Sequence, residues 1–368
     1  MRRRRRALAT IALLAAGAFA AGVAVAVGDG DEETPSVASR LTASQLAGQR
    51  IVLGFEGASV PAPVRRAIRD GGAAGVVLFE DNLPNRAAAK RLTAELQAIP
   101  RPPGLRDPLL VMTDQEGGLV KRLDSPPDAS AATMGARGGA YSREQGRLTG
   151  RGLRGVGVNA DLAPVLDVAR PGGTIAATAR GFGSTPAAVA ATAVPFAEGL
   201  RGAGVAATAK HFPGFGAARA NTDFAVERID LSKETLRRVD EAPYQRFVAA
   251  GGELVMLSTA IYPAFSSQPA AFSRAVATGE LRDRLGFEGV SITDALETVA
   301  VRDFGGPARA GVAAARAGVD LLLFTEPGAA SRARRALLRR LRSDTLSRAA
   351  FEQSVGRVLR LRHRLTPR

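Results

Sequence analysis

Eight short apolar runs recur from Leu41 onward, at residues 51–55, 75–79, 109–113, 158–166, 205–209, 254–258, 290–293 and 319–324. They limit the folds open to this chain more than any other feature. The runs are short, several are rich in Val and Leu, and most abut glycine. Continuous apolar runs of this length suit strands covered on both faces, as in parallel sheets wrapped by helices. Between them lie stretches with helical period and few breakers, at 85–98, 142–155, 186–202, 233–250, 274–285 and 308–317. Ser232 stands where a cap is wanted before the fourth of these, and serine is a favoured N-cap. The repeat predicts an α/β fold, a single-domain (β/α)8 TIM-type barrel over residues 41–368, a fold that takes about 250 residues before insertions. An open doubly wound sheet is the main rival, but no glycine-rich dinucleotide fingerprint follows the first run.

The ends of the chain read differently. Arg2 to Arg6 precede 21 uncharged residues, 7–27, and Ala24-Val25-Ala26 offers a small-residue cleavage site. Residues 1–28 therefore read as an export signal, or as a membrane anchor if uncleaved, with the barrel outside. Residues 29–40 carry acids, Pro35 and serines and read as a solvated linker. From Ser331 the chain is dense in arginine, while Leu337, Leu338, Leu341, Leu346, Val355, Val358, Leu359 and Leu361 keep near-helical spacing. One or two amphipathic helices closing the barrel are expected there, with the arginines on the solvated face. The formal charge of +15 raises the question of a nucleic-acid partner. No interleaved aromatic platform supports one, and the export signal opposes it. An anionic cell wall or lipid surface suits such a charge better. Cysteine is absent, which removes disulfides, thiolate metal sites and a lipid-modified N-terminal cysteine.

In a barrel of this kind chemistry sits at the C-terminal ends of the strands. The third run is followed by Asp114-Gln115-Glu116-Gly117-Gly118 with Lys121 and Arg122, and the fourth by Asp167 and then Arg180. The fifth is followed by Lys210 and His211, then by a loop with Arg219, Asn221 and Asp223. Ser258 and Thr259 follow the sixth, Asp294 the seventh, and Thr325 and Glu326 the eighth. Any one of these could cap a loop, and Asp294 could cap a helix. Their agreement on one rim points instead to a site with paired carboxylates for glycosidic bond cleavage, where one acts at the anomeric carbon and another group protonates the leaving oxygen. Asp114, Glu116, His211 and Asp223 as metal ligands are a weaker alternative, because they lack a ligand spacing. No metal and no organic cofactor is implied.

Five segments carry a resemblance: Asp114 to Arg122, Leu162 to Val168, Arg180-Gly181-Phe182-Gly183, Lys210-His211-Phe212-Pro213-Gly214, and Gly286 to Asp294. Together they resemble the N-terminal domain of glycoside hydrolase family 3, in its bacterial beta-N-acetylhexosaminidase branch. The resemblance implies a (β/α)8 barrel and a retaining glycosidase acting on a beta-linked sugar, with peptidoglycan fragments as one source. It assigns Asp294 as the nucleophile that forms a covalent glycosyl-enzyme. It assigns Asp114, Arg122, Arg180, Lys210 and His211 to sugar binding. The chain departs from that branch where its Asp-Ser-His acid/base loop is expected. Asn221-Thr222-Asp223 stand there, Phe215 and Thr259 replace two further histidines, and His363 lies far off in the basic tail. Asp223 is then the candidate acid/base, with a pKa that burial or a neighbouring carboxylate must raise. The alternatives are a sugar-binding protein with impaired turnover, or a site adapted to a different acceptor or substrate group.

Overall fold

The structure, a computed structural model, describes residues 37–302 and 304–366. The expected signal or anchor at 1–28 lies outside the described residues, as does most of the linker. The end of the linker is ordered: Val37–Arg40 form a 3-10 turn with Ala38 buried. Among the described residues no helix is long and apolar enough to cross a membrane.

A strand falls on each of the eight apolar runs: β1 (Ile51–Leu53), β2 (Gly75–Val77), β3 (Leu110–Thr113), β4 (Ala160–Asp161), β5 (Ala206–Phe212), which continues past its run through Lys210 and His211, β6 (Leu254–Leu257), β7 (Val290–Thr293) and β8 (Leu322–Phe324). They form one parallel sheet in the order β8-β1-β2-β3-β4-β5-β6-β7. A parallel bridge between Ile292 and Leu321 brings the two outer strands together and closes the barrel.

Alternation along each strand divides the core into two layers. Val52, Val77, Leu110, Met112, Leu254, Met256, Val290, Ile292, Leu321 and Leu323 pack together inside the barrel. Ile51, Leu53, Val76, Val111, Val255, Leu257, Leu322 and Phe324 belong to the layer between sheet and helices. Both sets must be apolar, so the strands read as continuous runs.

The helical stretches also appear, with instructive differences. Arg86–Ala98 starts behind Asn85, whose side chain accepts the Ala88 N–H, and Pro186–Gly202 matches the expected bounds. Ser232 caps as expected, accepting the Thr235 N–H. The single helix expected over 233–250 is broken, however. A π-helical turn, Leu236–Asp240, separates Lys233–Thr235 from Ala242–Ala249. Pro243 has no N–H to continue the ladder. The wider turn buries Asp240 against Arg170, whose two Nη atoms donate to its carboxylate at 2.6 and 2.8 Å. Ala275–Arg284 is likewise π-helical.

Two C-terminal helices, Pro327–Arg342 and Arg348–Arg364, complete the outer ring. Their arginines do not all face solvent, which corrects the expectation. Arg362 is 0% exposed and donates to the carbonyls of Pro108, Leu105 and Asp107 and to Gln49. Arg357 reaches inward to Asp320. A guanidinium is the cation best able to lie buried, since its five donors can all be satisfied by carbonyls. Asp320, just before β8, also accepts the N–H and hydroxyl of Ser291 and the Arg282 guanidinium. Burial pushes its carboxyl up, but Arg282 and Arg357 outweigh burial and hold it below the usual range.

Replacing Asp320 by alanine leaves two inward-facing guanidinia without their anion, and is expected to cost about 3–5 kcal/mol. Denaturant unfolding checks this, and a loss within experimental error of zero contradicts it.

Candidate active site

The inward series on the strands changes character at its C-terminal end. Leu110 and Met112 are followed two residues on by Asp114, Ala206 and Thr208 by Lys210, Val290 and Ile292 by Asp294, and Leu321 and Leu323 by Thr325. Period-two geometry therefore delivers these four polar side chains to one mouth. A cavity of about 370 Å³ opens there. All seven residues expected from the sequence line it: Asp114, Arg122, Arg180, Lys210, His211, Asp223 and Asp294.

Lys210 is the hub. It is 2% exposed, and its Nζ lies 2.5 Å from Asp114 Oδ1 and 2.7 Å from Glu116 Oε1. Glu116, 4% exposed, also accepts both prongs of Arg180, at 2.8 Å from Nε and 2.7 Å from Nη2. Two acids and two cations thus neutralise one another in a wall that water barely reaches. Burial alone would raise the Glu116 carboxyl, but Lys210 and Arg180 hold it far below the usual carboxylate range. Burial opposes the charge on Lys210, while Asp114 and Glu116 overcome that and raise it. Sequence reasoning placed Glu116 at the rim without giving it a sugar-site role. Its spacing of two from Asp114 was the available signal.

The loop after β3 is a hairpin, Gln115–Gly117 against Val120–Lys121. Gly117 has φ +93°, and a Cβ there would lie 2.3 Å from the Ala129 carbonyl oxygen, so the turn requires glycine. The Gln115 amide accepts the N–H groups of Arg122 and Leu123 and donates to the carbonyls of Leu123 and Ser125. That cross-link fixes where Arg122 leaves the backbone. Its guanidinium makes no ion pair among the described residues, so it is the cation in the wall free to meet a ligand.

His211 is oriented by Asp167, a second residue the sequence placed at the rim but gave no role. Asp167 is fully buried and accepts the His211 and Phe215 N–H groups on Oδ1, while Oδ2 lies 2.8 Å from His211 Nδ1. A carboxylate can only accept, so Nδ1 carries the proton and Nε2 is left for the cavity. Phe215 packs edge-on against the imidazole, with 5.7 Å between ring centroids. Gly214, at φ +136°, passes so close to Asp240 that a Cβ would stand 2.6 Å from that residue's Cβ. The Pro-Gly turn after Lys210-His211 thus fits only beside the π-helical turn. Lys210 and Arg180 already occupy the carboxylates of Asp114 and Glu116, which argues against those two serving as metal ligands.

Asp294 is half-buried, and its Oδ1 accepts the Ala295 N–H at 2.8 Å. It does not cap a helix, since the next one begins at Val299. Burial raises its carboxyl and the charge of Asp223 adds to this, while His211 and Lys210 draw it back. Asp223 sits on the loop after β5, which is tied to the loop after β7 by the Val299 and Ala300 N–H groups donating to the Asp223 and Thr222 carbonyls. Asn221 Nδ2 donates to Asp223 Oδ2 at 3.0 Å. Asp223 is exposed, so the burial expected of a proton-holding carboxyl is not found. Thr259 is buried, its hydroxyl has no partner among the described residues, and it is not part of the cavity wall.

Removing Glu116 as Glu116→Ala leaves Lys210 with Asp114 alone and Arg180 without an ion-pair partner among the described residues, with an expected loss of about 3–5 kcal/mol. The pH dependence has a definite sign. With a folded pKa far below the unfolded value of about 4.3, Glu116 contributes its full stability above that pH and loses it as pH falls below. Acid unfolding of wild type against Glu116→Gln reads the difference; identical acid midpoints contradict it.

The profile "Glycosyl hydrolase family 3 N terminal domain" matches residues 45–361. A protein of Arthroderma benhamiae named "Uncharacterized secreted glycosyl hydrolase" is 36% identical over 330 residues, covering 87% of this chain and 93% of its own length. A "Beta-hexosaminidase" of Xylella fastidiosa is 36% identical over 290 residues, covering 75% of this chain and 83% of its own. The solved structure of a family 3 beta-N-acetylglucosaminidase from Paenibacillus superposes with a TM-score of 0.84 at 35% identity. That match covers 88% of this chain, which spans 63% of the Paenibacillus chain. With a closed (β/α)8 barrel and its polar mouth already in place, these matches establish that the chain belongs to glycosyl hydrolase family 3, the glycosidases that act on O-glycosyl bonds.

Proposed function

We propose that the chain is a retaining beta-N-acetylhexosaminidase, with Asp294 as nucleophile and Asp223 as acid/base. The observation that carries this reading is the shared cavity: Asp294 and Asp223 line it together with a wall of paired charges that suits the hydroxyls of a pyranose ring. Asp114, Arg122, Arg180, Lys210 and His211 hold the ring by its hydroxyls. The Asp294 carboxylate attacks the anomeric carbon, and the C–O bond to the leaving group breaks as Asp223 gives that oxygen a proton. Asp223 then takes a proton from water, which displaces Asp294 and releases the sugar with its configuration retained. The preference for N-acetylhexosamine draws on the Xylella and Paenibacillus proteins, and peptidoglycan fragments are one natural source of that sugar. Export through residues 1–28 places the enzyme where such fragments occur and agrees with the word "secreted" in the Arthroderma protein's name.

A second reading rests on a specific observation. Asp223 is exposed and stands where the hexosaminidase branch carries a histidine. If it cannot hold a proton in the transition state, the site binds sugar without efficient turnover.

Aryl N-acetyl-glucosaminides and aryl glucosides, offered to the purified exported domain, separate the two. Under the enzyme reading Asp294→Ala abolishes turnover. Asp223→Ala lowers kcat/KM by about 10²–10⁴-fold on poor leaving groups and far less on dinitrophenyl glycosides, which leave unassisted. Saturable binding without turnover in the wild type favours the second reading. Trapping with an activated 2-fluoro glycoside, followed by peptide mapping, is expected to label Asp294.

The raised carboxyl of Asp294 adds a further expectation. Because the charge of Asp223 helps to raise it, Asp223→Asn lowers the Asp294 pKa. The acid limb of the trapping rate then moves to lower pH; an unmoved or upward-shifted limb contradicts the coupling.

A further inference from the structure

Glu297 stands three residues past Asp294, in the loop after β7, and lines the same cavity. It takes part in none of the ion pairs of the site. Its Oε1 accepts the backbone N–H groups of Thr325, at 3.0 Å, and Glu326, at 3.2 Å, just beyond β8. Its Oε2 is buried and has no hydrogen-bond partner among the described residues. The carboxyl group is therefore clamped at one oxygen and unsatisfied at the other, in the wall of a ligand cavity.

A buried polar atom left unpaired costs about 1–3 kcal/mol, which a ligand supplying the missing partner recovers. The two amides also fix the plane of the carboxyl, so Oε2 needs little reorganisation to meet that partner. We propose that Glu297 is a further substrate contact, whose Oε2 hydrogen-bonds a hydroxyl of the sugar held against Asp294. The inference rests on the sugar-binding reading of this cavity and adds to it a residue from the β7 side, opposite in character to the paired wall around Lys210.

The protonation of Glu297 gives this contact a signature. Burial pushes its carboxyl up to about 7, and Glu326 adds to this, while the two amides and Arg332 pull it down. Asp294 lies on its own loop, and Asp114, Glu116, Arg122, Arg180, Lys210, His211 and Asp223 share the cavity. With Oε1 engaged by donors, the proton belongs on Oε2. That oxygen donates below neutrality and accepts above it. A hydroxyl can serve both forms, but the strength of the bond changes as the group titrates.

The test compares wild type, Glu297→Gln, Glu297→Ala and, as a control for the cavity, Asp114→Ala. Affinity for N-acetylglucosamine is measured by calorimetry, and KM and kcat on an aryl N-acetyl-glucosaminide, from well below to well above pH 7. Glu297→Ala is expected to weaken binding and raise KM by up to about tenfold, with kcat changed less. Glu297→Gln keeps a donor in place, so it stays near wild type while losing the ionisation near neutrality from the KM profile. A role confined to bracing the loop would move stability and not that ionisation, and thermal melts report on folding directly. If sugar binds and Asp114→Ala weakens it, while both Glu297 variants keep the wild-type affinity and pH profile, the inference fails alone. If the wild type neither binds nor cleaves the sugar, the reading beneath it fails too.

Discussion

Two carboxylates and two cations are held together at the mouth of this barrel, with Glu116 and Lys210 at the buried centre of the cluster. Glu116 and Lys210 are nearly inaccessible, so neither charge is tolerable without the other. The cluster draws its members from the loops after three different strands: Asp114 and Glu116 after β3, Arg180 after β4, Lys210 from the end of β5. These three strands are neighbours in the sheet, so parallel pairing sets their C-terminal ends side by side, within hydrogen-bond reach. The same pairing leaves Asp114, Arg180 and Lys210 lining the cavity. Neutrality in the wall and a polar surface for a ligand are thus one arrangement.

The remaining parts of the site are fixed by supports one layer further out. Asp167 sets the imidazole of His211 and anchors the Phe215 amide. Gln115 pins the hairpin that carries Arg122. Asp240 and Arg170 support the π-helical turn against which Gly214 packs. At the opposite end of the sheet, Asp320 gathers arginines from two helices and joins β7 to the start of β8. Hydrogen bonds from Leu321 to Ser291 and from Thr293 to Leu321 continue that seam between the two outer strands.

Much of this was legible before any coordinates. The double burial of every strand forces continuous apolar runs, so all eight strands could be placed. Asp114, Asp167, Lys210, Asp294 and Thr325 were legible because each directly follows its run, whereas Arg122, Arg180 and Asp223 lie further on, in the loops. What escaped was pairing. Glu116 was visible in its motif, but nothing in the sequence says that it meets both Lys210 and Arg180. Asp167 was visible after its run, but not its hold on His211. Arg362 looked like one more surface arginine because a helix pattern does not show which polar groups find carbonyls. Glu297 carried no signal at all, since its character comes from the two amides beside it and the oxygen they leave over.

The amino-acid order by itself determined the class of fold, the residues at the mouth and the family resemblance, because these depend on local period and on spacing along the chain. The tertiary structure decided which charges cancel, which carboxyls rise or fall, and that Asp223 stands exposed while Glu297 is clamped. Those outcomes depend on burial and on distances between groups far apart in sequence, and neither exists until the strands have paired and the helices have packed on them.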